Sequence, residues 1–217
     1  MRIEMEENHF LNEFRKPTPT DAVLAKHYYP MLCELAKQQK LTTFKEFVDA
    51  AKERFPNVEE VQNAIPVSTG RRFEFIRTYT KKYNLPDLSA WVTNQSGLNS
   101  TQYLADFNPE AEREATQTIN WDDYAGEWDD FIGTLQKATI KVKRRKESEA
   151  IAIMATHALA LRQKIEASIP NPQKLQYSKL VQPFRAPILE GLMEGKDVED
   201  VFDDVIFDMT RSRSAQE

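Results

Sequence analysis

A chain of 217 residues that is 41% hydrophobic and 29% charged can bury one large core or two small ones, and it is too apolar to be disordered throughout. Only 6 glycines in that length weigh against a loop-rich β protein, and no run approaches the ~18–20 apolar residues that a membrane helix needs. The net charge of −5 gives no general pull toward nucleic acid, and the one cysteine, Cys33, leaves no disulfide framework and points to a reducing cytoplasm.

Residues 1–19 show no periodicity, lack an apolar signal core and carry Pro17 and Pro19, so they read as a loose arm. A helix starts near Asp21, and Pro30 either kinks it or begins a second one. Cys33 falls beside the apolar stripe of Met31, Leu32, Leu35 and Ala36, as a small buried hydrophobe. Thr43 and Glu46 have the spacing of a capping box, and Phe44, Phe47, Val48, Ala51 and Phe55 give the next helix a strong apolar face. A short helix follows over Asn57–Ile65. Ser68 is a good N-cap for a basic helix over 68–83, with Phe73, Ile76, Thr80 and Tyr83 inward and Arg71, Phe75, Thr78 and Lys82 on the exposed face. Leu88–Thr93 reads as a strand and Asn94–Gly97 as a turn.

Asn108-Pro109 starts an acidic helix, and Trp121, Tyr124 and Trp128 pack inward from an acidic stretch around Asp122 to Asp130. Ile151, Met154, Ala158, Leu161 and Ile165 form a stripe over four helical turns. His157 lies near it as a core or interface histidine. Helical pieces over 173–182 and 184–194 follow, then a last helix with Val198, Val201, Phe202, Val205, Ile206 and Met209 on one face. The two stripes are covered by a bundle within the chain or by one shared between two chains.

Helix, helix, basic helix, strand and turn is the order of a winged helix. The fold expected is mainly α: a flexible arm over 1–19, a winged-helix-like module with a small β-hairpin over 20–105, an acidic aromatic connector over 106–135, a helical bundle over 136–212 and a tail over 213–217.

Leu41-Thr42-Thr43-Phe44 with Phe47 and Ala50-Ala51, then Gly70-Arg71-Arg72, then Leu85-Pro86-Asp87 before Val92 and Gly97, resemble the winged-helix half of the O6-alkylguanine alkyltransferases and alkyltransferase-like proteins. The layout is also similar to small uncharacterised proteins of bacterial and phage genomes. The likeness covers roughly 28–98. It implies the shape and a DNA-facing role, but not repair: where that family carries its nucleophilic Cys-His-Arg, this chain has Asp87-Leu88-Ser89, and a carboxylate cannot replace an alkyl-accepting thiolate.

The function expected is therefore a non-enzymatic DNA-associated protein, a regulator from a phage or mobile element. Arg71, Arg72, Thr78, Lys81 and Lys82 supply the groove-facing donors, Asn94 and Gln95 the wing contacts, and Lys143, Arg144 and Arg145 a second phosphate-binding run. The alternative is a protein-interaction module, an accessory or inhibitor of a host complex. It would use Phe75 and the acids Asp122, Asp123, Glu127, Asp129 and Asp130. No catalytic residue, metal or cofactor is expected, nor a membrane contact. A homodimer through the C-terminal helices would set two winged helices side by side.

Overall fold

The structure, a computed structural model, describes residues 17–97, 99, 107–139, 142–168 and 181–214, with Ser168, Pro183 and 207–214 in backbone only. The chain is mainly α-helical and divides into two units, 1–140 and 141–217. No described helix is long and apolar enough to cross a membrane.

The first unit begins with α1, Pro19–Gln38. Thr18 caps it: its Oγ1 accepts from Asp21 N at 3.2 Å, while Asp21 Oδ2 accepts from Thr18 N at 2.8 Å. Pro19 fits the first turn, and Pro30 is carried inside one unbroken helix. Gln39, at φ 53°, ends it in the left-handed conformation. A two-residue strand β1, Thr42–Thr43, feeds α2, Phe44–Arg54, through the Thr43–Glu46 capping box. The short α3, Glu59–Gln62, leads to α4, Pro66–Lys82, which starts at Pro66 with Ile65 at the N-cap. Ser68, expected as the cap, lies inside the helix, and its hydroxyl donates to Ile65 O at 3.2 Å.

The strand expected over 88–93 is a 3-10 turn, Leu88–Trp91, running into β2, Val92–Thr93. Asp87 Oδ1 accepts from Ser89 N at 2.8 Å and winds the chain at this point. β2 pairs in parallel with β1, in the register Thr42↔Val92 and Thr43↔Thr93. An antiparallel bridge joins Thr93 to Asn99. Leu98 and 100–106 lie outside the described residues, and with them any second wing strand.

The stretch read as a connector folds into this unit. It forms α5, Pro109–Gln117, a 3-10 turn, Trp121–Tyr124, and α6, Ala125–Ala138. Trp121, Trp128, Phe131, Ile132 and Leu135 join one core with α1, α2 and α4. Tyr29 stacks on Trp128 with centroids 4.1 Å apart, and Tyr79 meets the same indole edge-on at 4.9 Å. The boundary between units accordingly falls after 140 rather than before 136.

The second unit holds α7, Glu147–Thr156, α8, Ala158–Ser168, a 3-10 turn, Gln182–Phe184, α9, Arg185–Met193, and α10, Val198–Ser214. Ala150, Leu161, Ile165, Ile188, Leu192, Val201, Phe202 and Val205 form its core. The continuous stripe expected from Ile151 to Ile165 breaks at His157, between α7 and α8. Leu161 and Ile165 are buried, but Ile151 is exposed and Ala150 takes the inward place. Pro170, Pro172 and most of the helix expected over 173–182 lie outside the described residues, as do most of the arm and the side chain of Met209.

Candidate interaction surface

The face of α4 expected to meet DNA is buried. Arg71 is 5% exposed, Arg72 1%, Phe75 2% and Thr78 4%. α4 is the central helix of its unit, packed by α1, α2 and the 3-10 turn, so no groove-facing side remains over those residues. Arg72 is spent within the core. Its guanidinium pairs with the carboxylate of Asp21, which is itself fully buried. Thr78 Oγ1 donates to Glu74 O at 2.8 Å. Phe75, placed by the sequence on a partner-binding surface, belongs to the same core. Of the α4 residues expected to meet DNA, Lys81 and Lys82 alone are exposed, together with Asn94 and Gln95 beyond β2.

The basic run before α7 is partly structural too. Arg145 N donates to Met193 O at 2.9 Å, and its guanidinium donates to Leu192 O and Lys196 O at 2.9 and 2.8 Å. It thus adds donors to carbonyls at the C-terminus of α9 and just beyond it. Lys143 and Arg144 are exposed.

The acidic residues lie differently. Asp122, Asp123, Asp129 and Asp130 are exposed and Glu127 half-buried, while the aromatics between them face the core. A 3.6-residue period over alternating acids and aromatics produces this division. Glu110 and Glu114 on α5 are exposed as well. Arg113, the one base in this run, turns inward and donates to Ala90 O at 3.1 Å. Glu112 Oε2 accepts from Asp87 N at 2.6 Å, and Trp91 Nε1 donates to Thr116 Oγ1 at 2.8 Å. These bonds fix α5 against the 3-10 turn. Lys37 of α1 reaches Asp122 at 2.9 Å, and that contact raises the lysine's pKa; Asp123 accepts from Asn120 at 2.8 Å.

Asp87 sits between α4 and α5. Burial pushes its carboxyl above the ordinary value, opposed by Arg77, whose Nε is 4.0 Å away, and by the Ser89 amide. Ser89 is fully buried and Arg77 donates to its hydroxyl at 3.3 Å, so neither is presented to a substrate. A groove of about 440 Å³ lies elsewhere, between α1, β1 and α2. Leu35, Phe47 and the exposed Leu41 line it, and the Glu34–Arg54 pair at 2.5 and 2.7 Å borders it.

Sequence reasoning missed Asp21, Asn99 and the capping role of Arg145. The Thr18-to-Asp21 spacing is a capping signature that could have been read. The pairing of Asp21 with Arg72, across 51 residues, carries no sequence signal. Compared with known protein families, curated proteins and solved structures, the chain matches none.

Proposed function

We propose that this chain is a non-enzymatic protein-interaction module that docks a basic partner through the exposed acids of α5, of the 3-10 turn Trp121–Tyr124 and of α6. The observation that carries the reading is the turning of Arg113 into the unit while Glu110, Glu114, Asp123, Asp129 and Asp130 stay exposed. Charge supports it at the scale of the unit. Residues 1–140 hold 22 acids against 16 bases, a formal net charge of −6, which repels phosphate and draws cations. Exposed Leu41 and Val67 suit protein contact as well. The test is a titration with a lysine-rich peptide and with a DNA duplex across a salt series. The peptide binds and the duplex does not, and reversing Asp123, Asp129 and Asp130 to lysine removes the peptide's salt-dependent affinity. Duplex binding that is lost on reversing Lys81 and Lys82 would contradict this.

A second reading keeps the DNA-associated regulator from a phage or mobile element. It rests on exposed Lys81, Lys82, Asn94 and Gln95, on the Thr93–Asn99 bridge as the root of a wing hairpin, and on Lys143 and Arg144. It has lost the centre of its recognition helix. Homodimerisation through the second unit rests on exposed Ile151, Leu159 and Met193. A cytoplasmic setting rests on the lone thiol, Cys33.

A further inference from the structure

α7 and α8 meet at His157 with no loop between them. His157 N donates to Ile153 O at 3.0 Å and Leu161 N to His157 O at 3.1 Å, so helical hydrogen bonding runs through the break. Burial keeps one helical phase across it. Ala150, Leu161 and Ile165 are buried, with Met154 and His157 half-buried between them, one or the other at every turn. That side is covered, α7 by α9 and α8 by α10.

The opposite side is exposed and apolar. Ile151, Ala152, Ala155, Ala158 and Leu159 share it, and Leu159 reaches 67% exposure. Over 150–161 the chain has no Asp, Glu, Lys or Arg. The polar side chains there turn back on their own helix: Thr156 Oγ1 donates to Ala152 O at 2.8 Å, and His157 Nδ1 to Ile153 O at 2.9 Å. A helix that is apolar on both sides is built to be covered on both.

The face carries its own complement. Ile151 and Leu159 lie four residues to either side of Ala155, and Ala152 and Ala158 three. Exposed Glu147 stands at the N-terminal end, and exposed Arg162, whose Nε donates to Glu166 at 2.8 Å, at the other. Turned end for end about Ala155, the face fits itself. Ile151 then meets the second copy's Leu159, the alanines let the two backbones approach, and Glu147 comes beside the second copy's Arg162. A parallel pairing would set Glu147 beside Glu147 and Arg162 beside Arg162, like charge against like. We infer that a second copy of this chain covers the α7–α8 face in antiparallel pairing, with Ala155 on the two-fold axis. This rests on the homodimer reading and gives it a face and a register.

The test uses the whole chain carrying one added cysteine. Cys33 is buried, and burial pushes its thiol up to about 12, so it stays out of the exchange. Under mild oxidation Ala155→Cys should give a disulfide-linked dimer, since a residue on the axis meets its own copy. Ala152→Cys and Leu159→Cys stand about 9 and 12 Å along the helices from their copies and should link many-fold more slowly. Glu147→Lys should weaken dimerisation several-fold in sedimentation equilibrium, and Arg162→Glu added to it should restore most of the loss. A dimer that links no faster through Ala155→Cys than through Ala152→Cys overturns the register and leaves the homodimer standing. A dimer indifferent to Glu147→Lys overturns the antiparallel pairing. Wild type that is monomeric at high concentration overturns the second copy as the cover, and the homodimer reading with it.

Discussion

Asp21 and Arg72 are both removed from water, at 0% and 1% side-chain exposure, so each depends on the other. Arg72→Met takes the guanidinium away from a fully buried carboxylate and should cost about 3–5 kcal/mol in a denaturant titration. Asp21→Asn together with Arg72→Met should recover much of that, because asparagine keeps the cap on α1 and no charge remains. Asp87 runs the other way. Its folded pKa is raised above the unfolded value of 3.8, so in the window just above 3.8 the native state binds more protons than the unfolded one. Its contribution to stability therefore falls as pH rises through that window. Asp87→Asn, which can still accept from Ser89 N, should be as stable as wild type or more stable at neutral pH, and should lack this pH component in thermal melts. Glu34 shows the opposite sign. Arg54 holds its carboxyl below 4.5, giving stability present above that value and lost as pH falls; with the pair 42% and 46% exposed, this amounts to about 0.2–1 kcal/mol. Of these residues, the Thr18–Asp21 spacing is the legible part. The Arg72 and Arg77 partners are not, since they come from distant turns of chain.

Among the elements, α4 shows why a helical wheel fell short. Its inward positions Phe73, Ile76 and Thr80 are buried as their spacing implies, but α1, α2 and the 3-10 turn close around its other side as well. Arginines count as exposed by default, and a buried one is legible only once its acid is found. The capping box before α2 and the division of α6 into acids outside and aromatics inside were legible, because both follow from local spacing. The strap ahead of α7 was not. Gly195 has φ 94°, and a Cβ there would stand 2.4 Å from Lys143 O, so close packing of the strap requires glycine. Gly195→Ala should lower stability by about 1 kcal/mol or more and free Arg145 from the end of α9. Slower exchange at the Arg145 amide in this variant than in wild type would contradict the account.

For the whole molecule, charge separates the two units. The first carries −6, while residues 141–217, with 13 bases and 12 acids, carry +1. A near-neutral unit with Leu159 at 67% exposure suits self-association, and an acidic one suits a basic partner. Leu159→Glu should convert a dimer to a monomer in sedimentation equilibrium; a wild type that is monomeric at high concentration contradicts the dimer. The claim that organises the rest is that α5, the 3-10 turn Trp121–Tyr124 and α6 present uncompensated acids to a cationic polypeptide. It is tested most directly by titrating a lysine-rich peptide across a salt series against wild type and the Asp123, Asp129 and Asp130 reversal to lysine. Affinity should fall steeply with salt for wild type and vanish for the reversed chain. Equal binding by the two chains at every salt concentration would contradict it.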